Sequence, residues 1–215
     1  MPNETDTRSA SAGSRGAKNP QSFTGAVHLR AVDPVRDAEL IFAWSRRAHV
    51  REYWELGEGL NGVRAYLREK NASGYLRPSL IEIEGVAAGY AELYDYNRDP
   101  VALVFPGRPN SGGWHIFLGE ERFIGTGHAV HVGRAILREL FARVGCRTVY
   151  CEPDVRNLRM HRFVAKLGHR EVGRVHLPDK TALIMQCDRE DFDATLIALE
   201  ASRETNDQLY SGRSL

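Results

Sequence analysis

The sequence predicts an α+β fold, a mixed α/β domain in which helices flank one mixed β-sheet. Strand patterns stand next to each other near both ends of the chain. Leu80 to Tyr94 alternates as two strands around Glu84-Gly85, and Glu171–Leu177 precedes Thr181–Asp188 across a short Pro-Asp-Lys turn. Between these pairs strand and helix patterns alternate. Neighbouring strands at both ends favour a mixed sheet over a doubly wound parallel one.

The first third of the chain predicts one strand and two helices. A short strand pattern covers Ala26–Ala31. Asp33 followed by Pro34 is typical of a helix start, and apolar positions continue as far as Val50. A second helix is predicted near Val63–Lys70.

A central strand and helix are predicted in the middle of the chain. The stretch 97–113 is rich in Pro, Gly and Asn, which indicates a loop with a short strand at Val101–Phe105. Trp114–Gly119 is apolar on both faces, which predicts a central strand. A helix should follow from His128 to about Arg143, since its apolar residues recur at helical spacing.

The last third predicts a strand at Arg147–Glu152. A helix should follow Pro153-Asp154 and end at Gly168, which is a favourable C-cap residue. Residues 1–22 and 202–215 have little to bury and are predicted as N- and C-terminal tails, which leaves one domain over residues 23–201.

Composition argues against several classes of partner, although overall charge leaves a local basic patch open. Lys and Arg number 29 and Asp and Glu 28, so a net charge of +1 argues against nucleic-acid binding. No apolar run approaches the ~20 residues of a membrane span, and no signal peptide is evident. The three cysteines form no CxxC pair, which favours free thiols in a reducing compartment, the cytoplasm.

A glycine-containing loop between the central strand and its helix suits a bound phosphate group. It has the form Arg122-x-x-Gly125-x-Gly127. Glycines let backbone N–H groups approach an anion, and a helix N-terminus adds unpaired donors. Arg122 can add a charge-assisted contact. A simple tight turn explains the same pattern, and the GxGxxG fingerprint of dinucleotide folds is not met.

These motifs resemble the GNAT N-acetyltransferases. The loop is similar to the coenzyme A loop of that fold, and Asn157–Gly168 is similar to its second signature. Five further segments occur in the order of the acyltransferases of hydroxamate-siderophore biosynthesis, the aerobactin, alcaligin, rhizobactin and mycobactin type: 44–54, Gly89–Tyr94, Gly113–Gly119, Glu152–Asn157 and Leu177–Met185. The resemblance covers about Val27 to Phe192.

The resemblance implies a sheet that splays open between two central strands and an acyl-CoA co-substrate within the opening. Pantetheine would run along the strand through Phe117 and Leu118. The diphosphate would lie on Arg122 and on the loop residues Gly125, Thr126 and Gly127, and Asn157 would border the same molecule. No metal is expected, since His128 and His131 are three residues apart but no carboxylate accompanies them at helical spacing.

His115 is the leading candidate for catalysis. An imidazole inside an otherwise apolar strand is costly without a partner. A core histidine is the alternative, but the siderophore family assigns the His at this position to catalysis. Asp154 is either a helix N-cap or, as the resemblance implies, a carboxylate across the sheet opening. We expect His115 and Asp154 to share the role of base toward the acceptor amine.

An acceptor pocket walled by Trp54, Tyr90, Tyr94 and Trp114 is expected, although packed aromatic side chains explain the same pattern. Two positions depart from the family. Val164 stands where many GNAT enzymes carry the Tyr that protonates the leaving thiolate. Ser111 stands where the siderophore branch often has an acidic residue.

Three functions remain open from the sequence. The first is acyl transfer to the side-chain amine, or to the N-hydroxyamine as in hydroxylysine, of lysine, ornithine or a diamine. This reaction would belong to siderophore biosynthesis and so to iron acquisition. The second is aminoglycoside 6′-N-acetylation, although such enzymes typically have an Asp at the position of His115. The third is a catalytically silent CoA-binding module. The acceptor is a small molecule in the first two, and the oligomeric state is either monomer or homodimer.

Overall fold

Seven strands form one mixed sheet in the computed structural model, which describes residues 26–142 and 145–211. In chain order they are β1 (Val27–Ala31), β2 (Leu76–Ile83), β3 (Val86–Asp95), β4 (Ser111–Leu118), β5 (Thr148–Cys151), β6 (Arg170–His176) and β7 (Thr181–Asp188). Their spatial order is β1-β2-β3-β4-β5-β7-β6. All neighbours are antiparallel except β4 and β5. The predicted fold class is therefore confirmed.

Helices cover both faces of this sheet. They are α1 (Ala38–Ser45), α2 (Ala48–Arg51), α3 (Gly59–Ala72), α4 (His128–Ala142), α5 (Leu158–Ala165) and α6 (Arg189–Ser211). Short 3₁₀ turns occur at Tyr96–Arg98, Pro100–Leu103 and Glu121–Phe123. None of the helices in the described residues is long and apolar enough to cross a membrane.

The sheet opens between β4 and β5. β4 pairs with β3 from Gly112 to Leu118, but it pairs with β5 only over Ser111–Gly113. Beyond Gly113, β5 continues beside β7 alone. The rest of β4 therefore presents one backbone edge to an opening in the sheet, as the family resemblance implies.

Two apolar clusters on opposite faces of β4 hold the sheet to its helices. Trp114 belongs to the cluster that packs under α4 and α5 with Ile136 and Val164. Phe117, three residues later, belongs to the cluster under α1 and α3 with Trp44. Odd and even positions of a strand face opposite sides, so both faces of β4 are covered. This explains why its sequence is apolar throughout.

The predicted hairpins and the central strand–helix pair are confirmed. The turn between β2 and β3 has Glu84 at φ +52° and Gly85 at φ +76°. Two consecutive positive φ values are the requirement of a type I′ turn, which matches the right-handed twist of the strands. β6 and β7 pair antiparallel across the predicted turn, and α4 begins at His128 as expected.

The first predicted helix begins later than expected. Asp33 does cap a turn, since its carboxylate accepts from the backbone N–H of Val35 at 2.8 Å and of Arg36 at 3.1 Å. Asp37 then binds the Arg30 guanidinium and the Asp33 N–H, which fastens this turn to β1. Helix α1 starts only after that contact, and the apolar stretch ending at Val50 divides into two short helices.

Three other boundaries differ from prediction. The short strand predicted at Val101–Phe105 is wrong, because Asp99 accepts from the Val101 N–H and Pro100 fits the first position of a 3₁₀ turn. Helix α3 begins at Gly59, before the predicted Val63. Helix α5 begins at Leu158 because Asn157, not Asp154, caps it through the N–H of Met160 at 3.1 Å.

The C-terminal helix extends into the segment predicted as a tail. Helix α6 runs to Ser211, so the backbone of residues 202–211 is helical. Glu190 and Asp191 in its first turn favour the helix N-terminus, and Phe192 anchors that turn in the core. The predicted N-terminal tail, residues 1–22, lies outside the described residues.

Gly89 is required for β3 and β4 to pair. A Cβ added there would lie 2.2 Å from the Phe117 carbonyl oxygen and 3.0 Å from the Leu118 Cα. Because backbone atoms of a paired strand cannot move aside as a side chain can, Gly89→Ala should lower the free energy of unfolding by about 3 kcal/mol. Urea unfolding measures this. Ala87→Gly on the same strand is the control and should cost about 0.5–1 kcal/mol; equal losses would contradict the interpretation.

Candidate active site

His115 contacts a carboxylate through each ring nitrogen. Its Nδ1 lies 3.1 Å from Glu92 Oε2, and its Nε2 contacts Glu152 Oε1. Glu92 lies on β3 opposite His115 in the ladder, and Glu152 directly follows β5. The three side chains therefore meet across the opening of the sheet. The His115 side chain keeps 29% of its surface exposed, whereas the two carboxylates are buried.

Hydroxyl groups complete the surroundings of Glu92. Tyr66 of α3 donates to its Oε1 at 2.6 Å, and Tyr90 of β3 donates to the same oxygen at 2.8 Å. Each oxygen of this buried carboxylate therefore has a donor, which offsets the cost of its burial.

Tyr94 links the other two members of the group. Its hydroxyl donates to Glu152 Oε2 at 3.0 Å and lies 3.1 Å from His115 Nε2. The adjacent strand makes room for its ring through Gly113, where a Cβ would lie 2.2 Å from the Tyr94 ring. Tyr94 is itself buried, so its hydroxyl is shielded from water and makes its hydrogen bonds within this cluster.

The charges in this cluster reinforce one another. Burial lowers the pKa of His115, but attraction to Glu152 and the hydrogen bonds to both carboxylates outweigh it and raise that pKa to about 10. Burial raises the pKa of Glu92 and Glu152, but the imidazole outweighs this and holds both below their ordinary value. At neutral pH the site therefore holds an imidazolium between two carboxylates, a net charge of −1.

Trp54 covers this group from the segment that follows α2. Its ring centroid lies 5.5 Å from those of His115 and Tyr90 and 5.4 Å from that of Phe117. Trp54 is half-buried, whereas Tyr90 and Phe117 are buried. Of the four aromatic residues predicted to wall an acceptor pocket, Trp54 and Tyr90 therefore stand around His115, and Tyr94 stands behind it.

Trp114 lies on the other face of β4. It is fully buried against Phe163, and its indole Nε1 donates to His169 Nε2 at 3.3 Å. It therefore does not share a surface with His115. Burial lowers the pKa of His169 to about 4, so this imidazole is neutral at physiological pH.

Asp154 lies on the β5 side of the opening, where its backbone bridges to Ala182 of β7. Its carboxylate pairs with Arg156, with Oδ2 at 2.6 Å from Nη2 and Oδ1 at 3.0 Å from Nε. The hydrogen bonds from this guanidinium hold the pKa of Asp154 below its ordinary value. The carboxylates that contact His115 are Glu92 and Glu152.

The glycine loop lies between the end of β4 and α4. Gly125 has φ +75° and Gly127 φ +91°, and a Cβ added at either would meet nothing within 4 Å. The Thr126 hydroxyl donates to the Phe123 carbonyl at 3.0 Å, and the Arg122 guanidinium lies over the Phe123 ring at 4.8 Å. The loop is thus left-handed and open at both glycines, directly before the N-terminus of a 15-residue helix.

Helix α2 and the residues before it contact the end of β4. His49 Nε2 lies 2.9 Å from the carbonyl oxygen of Leu118, and Arg47 contacts the carbonyl of Gly119. Phe117 and Leu118, which are predicted to lie beside the co-substrate, belong to the part of β4 that is not paired with β5 and that borders the opening. Asn157, predicted near it as well, uses its side-chain oxygen as the cap of α5.

Sequence reasoning missed Glu92, Glu152 and Tyr66. Glu92 carried a signal, because it is a lone charge within the apolar strand from Val86 to Leu93. Glu152 and Tyr66 carried none of this kind, since one ends a strand and the other stands on a helix of mixed composition. The role of Glu152 follows only from the pairing of β4 with β5, and that of Tyr66 only from the docking of α3.

Comparison with known proteins agrees with this fold. Residues 33–177 match the model of the acetyltransferase (GNAT) domain family, so the chain belongs to the GNAT acetyltransferases. It is accordingly an acyl-CoA-dependent N-acyltransferase.

Three relatives illustrate the range of the family. N-hydroxyputrescine acetyltransferase of Acinetobacter baumannii is 28% identical over 178 residues, 80% of this chain and 85% of that protein. Lysine N-acyltransferase MbtK of a Mycobacterium species (strain MCS) is 28% identical over 77% of this chain and 68% of that protein. The structure of aminoglycoside acetyltransferase AAC(6′)-Ib with coenzyme A superposes with a TM-score of 0.66 at 25% identity, over 79% of this chain and 99% of that one.

The buried, neutral His169 should make the protein less stable in mild acid. Its pKa is about 4 in the folded state and about 6.5 when unfolded, so the unfolded chain binds an extra proton between these values. Stability is then lost as the pH falls through this window, and His169 accounts for about 2 kcal/mol between pH 7 and pH 5. Urea unfolding at both pH values should show a smaller loss for His169→Gln. Equal losses in the two proteins would contradict this.

Proposed function

We propose that this protein transfers an acetyl or other acyl group from acyl-CoA to the side-chain amine or N-hydroxyamine of lysine, ornithine or a diamine in siderophore biosynthesis. The observation that carries the proposal is His115 at the opening of the sheet, clamped by two buried carboxylates under the cover of Trp54. The relatives that act on N-hydroxyputrescine and on lysine support it. The proposed reaction takes place in the cytoplasm.

The opening of the sheet suits an extended acyl-CoA. Backbone groups on the β4 edge that faces the opening, from Trp114 to the N–H of Leu118, can pair with the amides of pantetheine as a neighbouring strand would. The Leu118 carbonyl already contacts His49. Gly125, Thr126 and Gly127 present backbone N–H groups to the diphosphate at the start of α4, with Arg122 beside them. Asn157 lies at the start of α5 and borders the same molecule.

Acyl transfer to nitrogen needs a neutral acceptor nitrogen and a departing thiolate. A lysine-like amine is protonated at neutral pH, whereas a hydroxylamine is much less basic and arrives neutral. We propose His115 and Asp154 as the catalytic residues on the two sides of the opening, with Asp154 receiving the acceptor's proton. Trp54 forms the acceptor wall nearest to His115, and the buried rings of Tyr90 and Tyr94 support that wall from behind. Trp114 supports β4 from its other face.

A thiol-release assay tests the acceptor class. Acetyl-CoA should be turned over with N-hydroxyputrescine, N6-hydroxylysine or N5-hydroxyornithine, and His115→Ala should lower kcat by about 10²–10⁴. Turnover with kanamycin alone would instead support aminoglycoside acetylation, the activity of the structural relative. Release with none of these acceptors, or full activity of His115→Ala, would contradict the proposal. Longer acyl-CoA donors in the same assay define the acyl group.

Replacement of Gly127 tests the diphosphate loop. An L-residue at φ +91° is strained by about 1–2 kcal/mol, so Gly127→Ala should distort the loop and raise the KM for acetyl-CoA about tenfold with a smaller effect on kcat. Gly74→Ala is the matched control, because Gly74 also has a positive φ (+69°) and open space around its Cβ. Gly74→Ala should lower the melting temperature without changing that KM. A KM unchanged in both variants would place the diphosphate elsewhere.

A further inference from the structure

The contacts of His115 determine its charge by donor counting. An ionised carboxylate only accepts hydrogen bonds, and a neutral imidazole has a single N–H. His115 meets a Glu92 oxygen at Nδ1 and a Glu152 oxygen at Nε2. Despite their burial, the hydrogen bonds to the imidazole hold the pKa of both carboxylates below the ordinary value, so both are ionised at neutral pH. Both contacts are then hydrogen bonds at once only if the ring carries a proton on each nitrogen.

The hydrogen bonds of the neighbouring hydroxyls agree with this count. The Tyr94 hydroxyl donates its one proton to Glu152 Oε2, so its oxygen is left to accept from the Nε2–H of His115. Tyr66 and Tyr90 donate to Glu92 Oε1, which leaves Oε2 for the Nδ1–H. Burial raises the pKa of Tyr94 well above its ordinary value, so it remains a donor.

We propose that His115 acts in this reaction as the proton donor to the departing sulfur, and that Glu92 and Glu152 are positioning residues that hold the ring charged. This inference rests on the proposed function and adds the direction of proton transfer at its central residue. His115 can be reached from the opening because 29% of its side chain is exposed, whereas Glu152 behind it is only 4% exposed. Both ring N–H groups face carboxylates, so the transfer requires one of them to leave its carboxylate partner. A ring whose two nitrogens already carry protons cannot act as the base.

For a hydroxylamine acceptor, the acceptor nitrogen attacks the thioester carbonyl and the coenzyme leaves as its thiol. The nitrogen lone pair forms a bond to the acyl carbon, and the carbon–sulfur bond breaks with its electron pair on sulfur. One ring N–H of His115 leaves its carboxylate partner and passes its proton to that sulfur, which leaves as the thiol. The acylated nitrogen releases its surplus proton to Asp154 and then to water, and the imidazole regains a proton from water.

Several polar and charged groups surround this ring, and the carboxylates among them favour its protonated form. Glu92 and Tyr94 reach the ring from β3, and Glu152 reaches it from the end of β5. The Asp99 carboxylate, which lies between the first two 3₁₀ turns, attracts the charged ring as well. Lys180, in the turn between β6 and β7, helps to hold the pKa of Glu152 below its ordinary value, which keeps that carboxylate ionised beside the ring. The pKa of His115, about 10, is consistent with this balance.

The pH dependence of kcat distinguishes an acid from a base. An acid loses rate as the pH rises through its pKa, whereas a base loses rate as the pH falls. With acetyl-CoA and N-hydroxyputrescine, whose acceptor nitrogen is already neutral, wild-type kcat should stay level from pH 7 to 9 and fall toward pH 10. Removing one carboxylate charge lowers the pKa, so Glu152→Gln and Glu92→Gln should each move the falling limb down by at least one pH unit. A wild-type rate that falls below pH 7, or a limb that neither variant moves, would overturn the inference.

A second measurement needs no substrate. The imidazole resonances of His115, assigned by comparison with His115→Gln, should show a charged ring from pH 6 to pH 9 in the wild type and a titration within that range in Glu152→Gln. A neutral ring at pH 7.5 in the wild type would overturn the inference. Glu82→Gln is the matched control, because Glu82 pairs with Arg30 on the edge of the sheet, and it should change neither result.

The two proposals fail in different ways. Wild-type protein that turns over no hydroxylamine would remove the proposed function, whatever the NMR titration shows. Turnover of N-hydroxyputrescine together with a neutral His115 ring would remove only the assignment of the acid. Circular dichroism of each variant establishes that the comparison is made between folded proteins.

Discussion

The structure depends on an imidazolium held between two buried carboxylates inside a β-sheet. Three charges in such a place are costly unless every oxygen and every N–H has a partner. Here Glu92, His115 and Glu152 come from three neighbouring parts of the sheet, and hydroxyls from β3 and α3 complete their hydrogen bonds. Removal of His115 would leave the two carboxylates buried and uncompensated. The cluster therefore ties the docking of α3 to the register of the central strands.

That cluster also requires the sheet to open where it does. β4 and β5 are parallel and share only three residue pairs, so they part just beyond Gly113. Without this separation, a neighbouring strand would occupy the space that lets Glu152 reach His115 from the end of β5. Gly113 also leaves room for the Tyr94 ring, whose hydroxyl joins the two. The opening that would admit acyl-CoA and the charged cluster thus share one structural origin.

Local patterns in the sequence were sufficient for the sheet but not for the site. The alternation around Glu84-Gly85 and the two-sided apolar strand at Trp114 predicted β2, β3 and β4, because strand periodicity is local. The start of α1 was misplaced, since the contact of Asp37 with Arg30 is a tertiary one. His115 was predicted from its unusual position in a strand. Its partners were not, because Glu92 and Glu152 reach it only through strand register, which one sequence does not reveal.

The charge of His115 bears on which acceptor this site suits. A protonated amine would need a base before it could attack, and the ring has no free nitrogen to provide one. A hydroxylamine arrives neutral, so the remaining demand is to stabilise the departing sulfur, which a charged donor meets. The net charge of −1 in the cluster also favours an acceptor with a distant ammonium group. An N-hydroxylated diamine has both properties, and for such an acceptor hydroxylation would have to precede acylation.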